Sequence, residues 1–197
     1  MRLAMLNIFG GKKGLRAQLI EKRKRLPETD CLCYSRAIEK RLMTSREFAL
    51  ASTIHCYLSD RFEIQTNGLI RAALQLGKRV IVPAGIRAFH PQCVKLVSPE
   101  EIDLWIIPAV ACDTMGHRLG RGGGYYDRLL FGCVGKTICL AFEFQIVDVL
   151  PFEQTDKDVD MIVTEDRIIN CGINTPCPLG APLKEGHLYG AKQNATD

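Results

Sequence analysis

One stretch decides the fold: Asp113-Thr-Met-Gly-His-Arg-Leu-Gly-Arg-Gly-Gly-Gly-Tyr-Tyr-Asp127. The apolar run at 104–108 before it predicts a buried strand, and residues 126–131 after it predict a helix. A strand, a glycine-rich loop and a helix in this order favour an anion site, because glycine lets backbone N–H groups approach an anion and a helix N-terminus is partially positive. Arg118 and Arg121 add donors for charge-assisted hydrogen bonds. The alternative is a surface turn with arginine–tyrosine stacking.

Strands alternate with helices on both sides of this stretch. Helices are predicted over 12–26, 29–42, 65–76 and 145–150. Thr29 is predicted as the N-cap of the second helix, and Ser45 opens a further helical turn. Strands are predicted over 53–58, 80–82, 93–97, 103–108, 137–141 and 161–164. This alternation predicts an α/β fold, a three-layer αβα sandwich with a mostly parallel central sheet and its ligand at the carboxyl ends of the strands. We expect one domain over 1–170 and a loosely ordered tail over 171–197, where three prolines and several glycines interrupt any periodicity.

Composition excludes several classes of protein. Of the 197 residues, 47% are hydrophobic and 24% charged, the net charge is +4, and no apolar run approaches the length of a membrane span. Nine cysteines without a Cys-x-x-Cys pair indicate free thiols in a reducing compartment. We therefore expect a cytoplasmic protein, a monomer or weak dimer, that binds small molecules and neither nucleic acid nor a membrane.

The first predicted helix is strongly basic. Lys12 and Arg16 are four residues apart and share one side of the helix, so they could hold one anion together. The run at 22–25 reads as a solvated basic face, and no aromatic residue interleaves it as nucleic-acid stacking would require. His55, inside a predicted strand, reads as a packed, hydrogen-bonded residue and not as a catalytic one.

The sequence matches two common nucleotide-binding motifs only in part. Gly135-Lys136-Thr137 ends like a Walker A loop, but position 130 is leucine and the segment enters a strand instead of a helix. Gly120 and Gly122 begin a Rossmann fingerprint, but position 125 is tyrosine where the third glycine belongs.

The stretch at 113–127 instead closely resembles the signature of the 5-formyltetrahydrofolate cyclo-ligase (methenyltetrahydrofolate synthetase) family. The matching positions are Asp113, Gly116, 118–122 and 124–127. Resemblance extends to Lys12-Lys-Gly-Leu-Arg16, Tyr57-Leu-Ser59 with Glu63-Ile64, Gly77-Lys-Arg-Val-Ile-Val-Pro83 and the segment 156–165.

The resemblance implies a Mg-ATP-dependent ligase that closes 5-formyltetrahydrofolate to 5,10-methenyltetrahydrofolate with release of ADP and phosphate. It also implies a set of site residues. Phosphates would be held by Lys12, Arg16, Arg118 and Arg121, with Leu119 and the backbone of Gly120, Gly122, Gly123 and Gly124. Tyr125 and Tyr126 would line the face that ATP and folate share. The folate would be contacted by Leu58, Glu63, Arg121, Tyr125 and the loop 122–124. Asp127 and Asp156 would hold Mg²⁺. Arg121 and Tyr125 would be the catalytic residues.

The chain departs from the family pattern at two places: Cys112 stands where a phenylalanine is common, and the segment near 98–103 is shortened. Family members carry a longer segment between the Pro-Glu-Glu turn and the next strand, whereas Glu101 here runs directly into 102–108. The alternative function is therefore a relative that binds ATP or folates without turnover.

Overall fold

The computed structural model of the protein describes residues 11–83, 98–153 and 156–171. The predicted strand at 93–97 and all but the first residue of the predicted tail lie outside the described residues. No helix in the described ranges is both long and apolar enough to cross a membrane.

A six-stranded sheet forms the centre of the fold. In spatial order its strands are β2 (Arg79–Ile81), β1 (Thr53–Cys56), β3 (Leu104–Pro108), β6 (Lys136–Leu140), β8 (Met161–Val163) and β9 (Ile168–Asn170). The first five are mutually parallel, and only β9 is antiparallel to its neighbour. The prediction of an α/β fold with a mostly parallel sheet is confirmed.

Three helices cover one face of this sheet. They are α2 (Glu28–Met43), α3 (Arg46–Leu50) and α4 (Asn67–Gln75), and their buried side chains pack on alternate residues of the strands. Ile38 of α2, Phe48 of α3 and Ile70 of α4 are each at most 1% exposed. Burial of this apolar area, at about 25 cal/mol per Å², is the main stabilisation of the layer.

The opposite face is covered more thinly in the described part of the chain. A five-residue helix, α5 (Tyr125–Leu129), and the turn after it pack Leu130 against Trp105, Ile107 and Cys139 of the sheet. Strand β3 is thus buried on both faces, which explains its unbroken apolar sequence.

A second, smaller sheet brings the first helix to the glycine-rich stretch. It consists of β4 (Ala111–Asp113), β5 (Arg118–Leu119) and β7 (Ile146–Val147), in the order β5-β4-β7. Helix α1 (Gly11–Lys24) buries Leu15 and Leu19 against Val110, Leu119 and Leu150 at this sheet. The N-terminal turn of α1 is therefore placed beside the loop that follows β5.

Some local predictions are wrong. Helix α2 begins at Glu28 after Pro27 and has no side-chain cap, so Thr29 is not its N-cap. Residues 145–150 do not form a helix, because the buried Gln145 amide donates to the carbonyls of Ala109 and Val110 and leads directly into β7.

Two further features differ from the sequence-based description. Arg23, within the run described as a solvated basic face, is only 6% exposed. Strand β9 follows β8 through a tight turn and was missed, since its three residues carry no alternating pattern.

Candidate functional site

A cavity of about 600 Å³ opens at the carboxyl ends of the parallel strands. Tyr57 and Leu58 follow β1, Pro83 follows β2, and Ala109 follows β3, and all four line it. The other lining residues are Pro108 and Val110, the start of α1, the segment from 118 to 128, Glu63, Glu153 and Asp156. The predicted position of the ligand, at the ends of the strands, matches the position of this cavity.

The glycine-rich loop forms one wall of the cavity. Gly122 has φ of +101° and Gly124 has φ of +62°, backbone conformations that residues with a Cβ rarely adopt. A Cβ on Gly122 would lie 3.5 Å from the guanidinium carbon of Arg16, whereas a Cβ on Gly123 would meet open space. The loop therefore exposes backbone to the cavity, as an anion cradle requires.

Helix α1 presents two cations to this loop. The Arg16 Nε donates to the Gly120 carbonyl at 2.8 Å, which ties the loop to the helix. The Lys12 Nζ lies 2.8 Å from Asp156 Oδ2 and 2.9 Å from Glu153 Oε1. Burial opposes the charge on Lys12, but these two carboxylates outweigh burial and raise its pKa. Lys12 is thus a fully charged group at the cavity mouth.

Arg121 reaches across the cavity to the loop after β1. Its Nη2 donates to Glu63 Oε1 at 2.7 Å and to Asp60 Oδ2. Burial acts against ionisation of Asp60, yet the hydrogen bond from Arg121 outweighs it and lowers the pKa of Asp60. The predicted phosphate arginine is therefore held by two carboxylates on the predicted folate side.

Arg118 and Asp127 form an ion pair at the base of the cavity. Arg118 Nη2 donates to Asp127 Oδ1 at 2.7 Å, and the Arg118 side chain is only 3% exposed. The guanidinium carbon lies 6.0 Å from the centre of the Tyr126 ring. Arg118 Nε is buried without a hydrogen-bond partner among the described residues, so this cation retains an unused donor.

Two carboxylates near the cavity could hold a metal ion. Asp127 and Asp156 both line it, and each already accepts from a cation, Arg118 and Lys12 respectively. No cluster of three or more His, Cys, Asp or Glu side chains with metal-binding geometry occurs in the described ranges. One or two carboxylates suffice for Mg²⁺ when substrate phosphates complete its shell, so the donor set fits that ion.

The first half of the 113–127 stretch has a different role from the second half. Asp113 is 1% exposed and accepts hydrogen bonds from the backbone N–H of Met115, His117 and Leu150 and from the His117 ring. Gly116, with φ of +96°, lies so close to Val159 that a Cβ would meet its carbonyl at 2.5 Å. These contacts build a turn between β4 and β5 and do not line the cavity.

The structure brings all of the predicted site residues to this cavity. Lining it are Lys12, Arg16, Leu58, Glu63, residues 118–127 and Asp156. Their individual roles stay predictions. Sequence reasoning missed Asp60, Glu153 and Arg128, which lie in or beside the same site and carry no spacing signal of their own.

His55 lies in the core, away from the cavity lining. It is 3% exposed, and its ring centre lies 4.9 Å from the centre of the Trp105 ring. Burial lowers the pKa of His55 to about 4, against the opposing effect of a backbone hydrogen bond with Ile106. The histidine is therefore neutral near pH 7, in keeping with a packed residue.

Fold and cavity together define a class: an α/β protein with a site for an anionic ligand at the carboxyl ends of a parallel sheet. A family model described as the 5-formyltetrahydrofolate cyclo-ligase family matches residues 9–100 and 85–165. The chain belongs to the 5-formyltetrahydrofolate cyclo-ligase family, which is a family of enzymes.

Curated relatives and solved structures agree with this family. The chain is 28% identical to the mouse (Mus musculus) 5-formyltetrahydrofolate cyclo-ligase, over 83% of this chain and 98% of the mouse protein. It is 32% identical to the Escherichia coli K12 enzyme of that name, over 65% of this chain and 86% of the relative. The structure of Aquifex aeolicus 5,10-methenyltetrahydrofolate synthetase superposes with a TM-score of 0.71 at 29% identity, covering 91% of this chain and 99% of that one.

Proposed function

We propose that the chain closes 5-formyltetrahydrofolate to 5,10-methenyltetrahydrofolate at the expense of ATP. The formyl oxygen attacks the γ-phosphorus, ADP leaves, N10 attacks the activated carbon, and inorganic phosphate departs as N10 loses its proton. The observation that supports this proposal most strongly is the single cavity wall where Arg16, Arg118 and Arg121 surround a backbone of glycines. Phosphoryl transfer depends chiefly on such positioning and charge stabilisation.

The phosphate side of the site is assigned to α1 and the glycine-rich loop. Lys12, Arg16 and Arg118 hold the ATP phosphates, Leu119 packs beside them, and the backbone of 120–124 approaches the phosphate oxygens. Arg121 stabilises the charge that develops on the transferred group. In this arrangement Arg121 exchanges its present partners, Asp60 and Glu63, for phosphate oxygens.

The folate side is assigned to the loop after β1 and to the two tyrosines. Glu63 accepts hydrogen bonds from pterin N–H groups, since a carboxylate accepts only. Leu58 supplies an apolar contact, and Tyr125, 48% exposed, lies where both substrates meet. The Tyr125 and Tyr126 rings stand edge to face with centres 5.1 Å apart, which fixes the wall between the two halves.

Mg²⁺ is proposed as the metal, with Asp127 and Asp156 as its protein ligands. When bound, such an ion neutralises charge on the β- and γ-phosphates. Lys12 and Arg118 hold these carboxylates in place before the nucleotide arrives.

We further propose a cytoplasmic monomer or weak dimer, with residues 1–170 as one catalytic domain. Absence of Cys-x-x-Cys pairs among nine cysteines supports a reducing compartment. Three apolar clusters pack around the two sheets, and single side chains join them: Tyr126 packs against the clusters on both faces of the six-stranded sheet, and Phe144 joins one of these to the cluster at the smaller sheet. This continuity supports a single domain over the described part of 1–170.

The direct test follows the methenyl chromophore by absorbance, with 5-formyltetrahydrofolate, ATP and MgCl₂. Wild-type protein should turn over only when all three are present. Arg121→Ala should lower kcat/KM by about 100-fold or more, because it removes a donor to the transition-state charge. Arg25→Ala is the matched control, since Arg25 directly follows α1, is exposed, and pairs with Glu21 at the surface.

Folded wild-type protein without turnover would overturn the assignment. Calorimetric binding of ATP or 5-formyltetrahydrofolate by that protein would then select the silent relative.

A further inference from the structure

Glu63 lies between two arginines of different character. Arg121 donates to Glu63 Oε1 at 2.7 Å from the glycine-rich loop, and its side chain is 56% exposed. On the other side, Arg23 Nη2 from α1 lies 4.0 Å from the same oxygen, and its side chain is 6% exposed. The second distance is too long for a hydrogen bond but within the range of an ion pair.

Arg23 has an incomplete set of partners for a buried cation. Its Nε is buried and has no hydrogen-bond partner among the described residues. Within the described ranges, Glu63 is the one carboxylate that lies within 4.0 Å of Arg23. A guanidinium withdrawn from water is strongly unfavourable without a paired, hydrogen-bonded anion. Among the described residues, Glu63 is therefore the anion that best accounts for the buried position of Arg23.

Besides these two arginines, the described groups that hydrogen-bond Glu63 carry no positive charge. Its Oε2 accepts from the backbone N–H of Asp60, and its carbonyl accepts from the Cys31 thiol. Tyr57 and Tyr126 face it as neutral phenols, because burial raises the pKa of both. Within the described ranges, Arg121 and Arg23 are the two cations that lie within 4.0 Å of the Glu63 carboxylate.

In the proposed function Arg121 exchanges Glu63 for the transferred phosphate. Glu63, with its side chain 9% exposed, then loses the cation that donates a hydrogen bond to its Oε1. A buried carboxylate without a paired cation is strongly unfavourable. We propose that Arg23 is the cation that then pairs with Glu63: a buried positioning residue that keeps this carboxylate correctly oriented for the folate while Arg121 engages phosphate. This inference rests on the proposed function and adds a specificity-determining residue on the folate side.

The proposal predicts an effect confined to one substrate. In Arg23→Met the folate KM should rise about tenfold, whereas the ATP KM should change less than twofold, because α1 contacts phosphate through Lys12 and Arg16 at its other end. Arg23→Lys should restore part of the folate affinity, since it returns the charge without the planar fork. Lys24→Met is the matched control, because Lys24 is the exposed neighbour on the same helix.

A double-mutant cycle separates this role from a merely structural one. Arg23→Met added to Glu63→Gln should raise the folate KM no further than Glu63→Gln alone, because the anion that Arg23 serves is already gone. Equal rises in both KM values, or independent effects of the two substitutions, would overturn the proposal. Where Arg23→Met does not fold, the same cycle is measured with Arg23→Lys in place of Arg23→Met.

Calorimetry makes the test independent of turnover. The dissociation constant of 5-formyltetrahydrofolate is measured with and without an ATP analogue for the four proteins of the cycle: wild type, Arg23→Met, Glu63→Gln and the double variant. It should change from one protein to the next as the folate KM does. If the wild type binds folate without turning it over, the proposed function fails while the Arg23–Glu63 coupling can still be measured. If turnover is normal and the coupling is absent, only this inference fails.

Discussion

The two halves of the 113–127 stretch differ in how they are held. The turn at 113–117 is fixed by a buried carboxylate with four hydrogen-bond donors and by a glycine pressed against Val159. The loop at 120–124 has few internal contacts and is tied chiefly through Arg16, Arg121 and Arg128. One motif therefore contains a rigid half, residues 113–117, and an open half, residues 120–124. We expect substitutions in the rigid half to destabilise the fold and substitutions in the open half to impair only the site.

The largest effect should come from the rigid half. Asp113→Ala leaves three backbone N–H groups without their acceptor, and each such loss typically costs about 1–3 kcal/mol when the group is buried. We expect the free energy of unfolding to fall by about 3 kcal/mol or more in urea. Asp113→Asn keeps an oxygen for Met115 and His117 and should lose about half as much. Equal stability of wild type and Asp113→Ala would mean that the turn is not the support described above.

A smaller effect should come from the open half, and there it should appear in activity. Gly122→Ala places a Cβ at φ of +101°, a strain of about 1–3 kcal/mol that a weakly held loop relieves by changing conformation. The ATP KM should rise about tenfold while the unfolding midpoint stays nearly constant. Gly132→Ala is the matched control, because Gly132 also has a positive φ, +79°, and open space for a Cβ, but does not line the cavity. A loss of stability in Gly122→Ala without a change in KM would remove the distinction between the halves.

Much of this division is not visible in sequence. The fold class follows from alternating strand and helix patterns, and the buried strand β3 follows from its unbroken apolar run, because both signals are local. The three-residue strands β4 and β9 are too short to show a period of two. Asp113 and Asp127 bracket one motif, and only the tertiary contacts show that the first is a buried acceptor and the second lines the cavity.

Charged residues were the hardest to assign. Arg23 belongs to a run of four basic residues, and its burial depends on packing against the loop that carries Glu63, forty residues later. Asp60 and Glu153 were missed for the same reason: their partners, Arg121 and Lys12, are distant in sequence. Long-range ion pairs leave no periodic signature.

Acid should weaken the open half through its ion pairs. Burial opposes ionisation of Asp156, but the hydrogen bond from Lys12 outweighs it and lowers the pKa of Asp156; Arg121 does the same for Asp60. A carboxyl whose pKa is lower in the folded state stabilises the fold above its ordinary value of 3.8 and loses that contribution as the pH falls through the lowered value.

The free energy of unfolding is measured between pH 6 and pH 2 for the wild type and for a double variant that carries both Asp60→Asn and Asp156→Asn. The wild type should lose stability more steeply than the double variant below pH 4, by no more than about 1 kcal/mol per pair because the pairs are partly exposed. Parallel curves would show that these pairs contribute nothing to the fold and that the cradle is held by its backbone alone.

The smallest expected effect is a gain. Asp60→Asn removes a carboxylate that competes with phosphate for Arg121, yet it keeps the Oδ1 that accepts from the Phe62 backbone N–H. A surface ion pair of this kind contributes about 0.2–1 kcal/mol, so the ATP KM should fall by about 1.5- to 5-fold. Asp148→Asn, an exposed carboxylate outside the cavity lining, controls for net charge. If the ATP KM rises in Asp60→Asn but not in Asp148→Asn, Asp60 supports Arg121 in the nucleotide complex instead of competing with phosphate. The open half would then depend on the loop after β1 more than its contacts indicate.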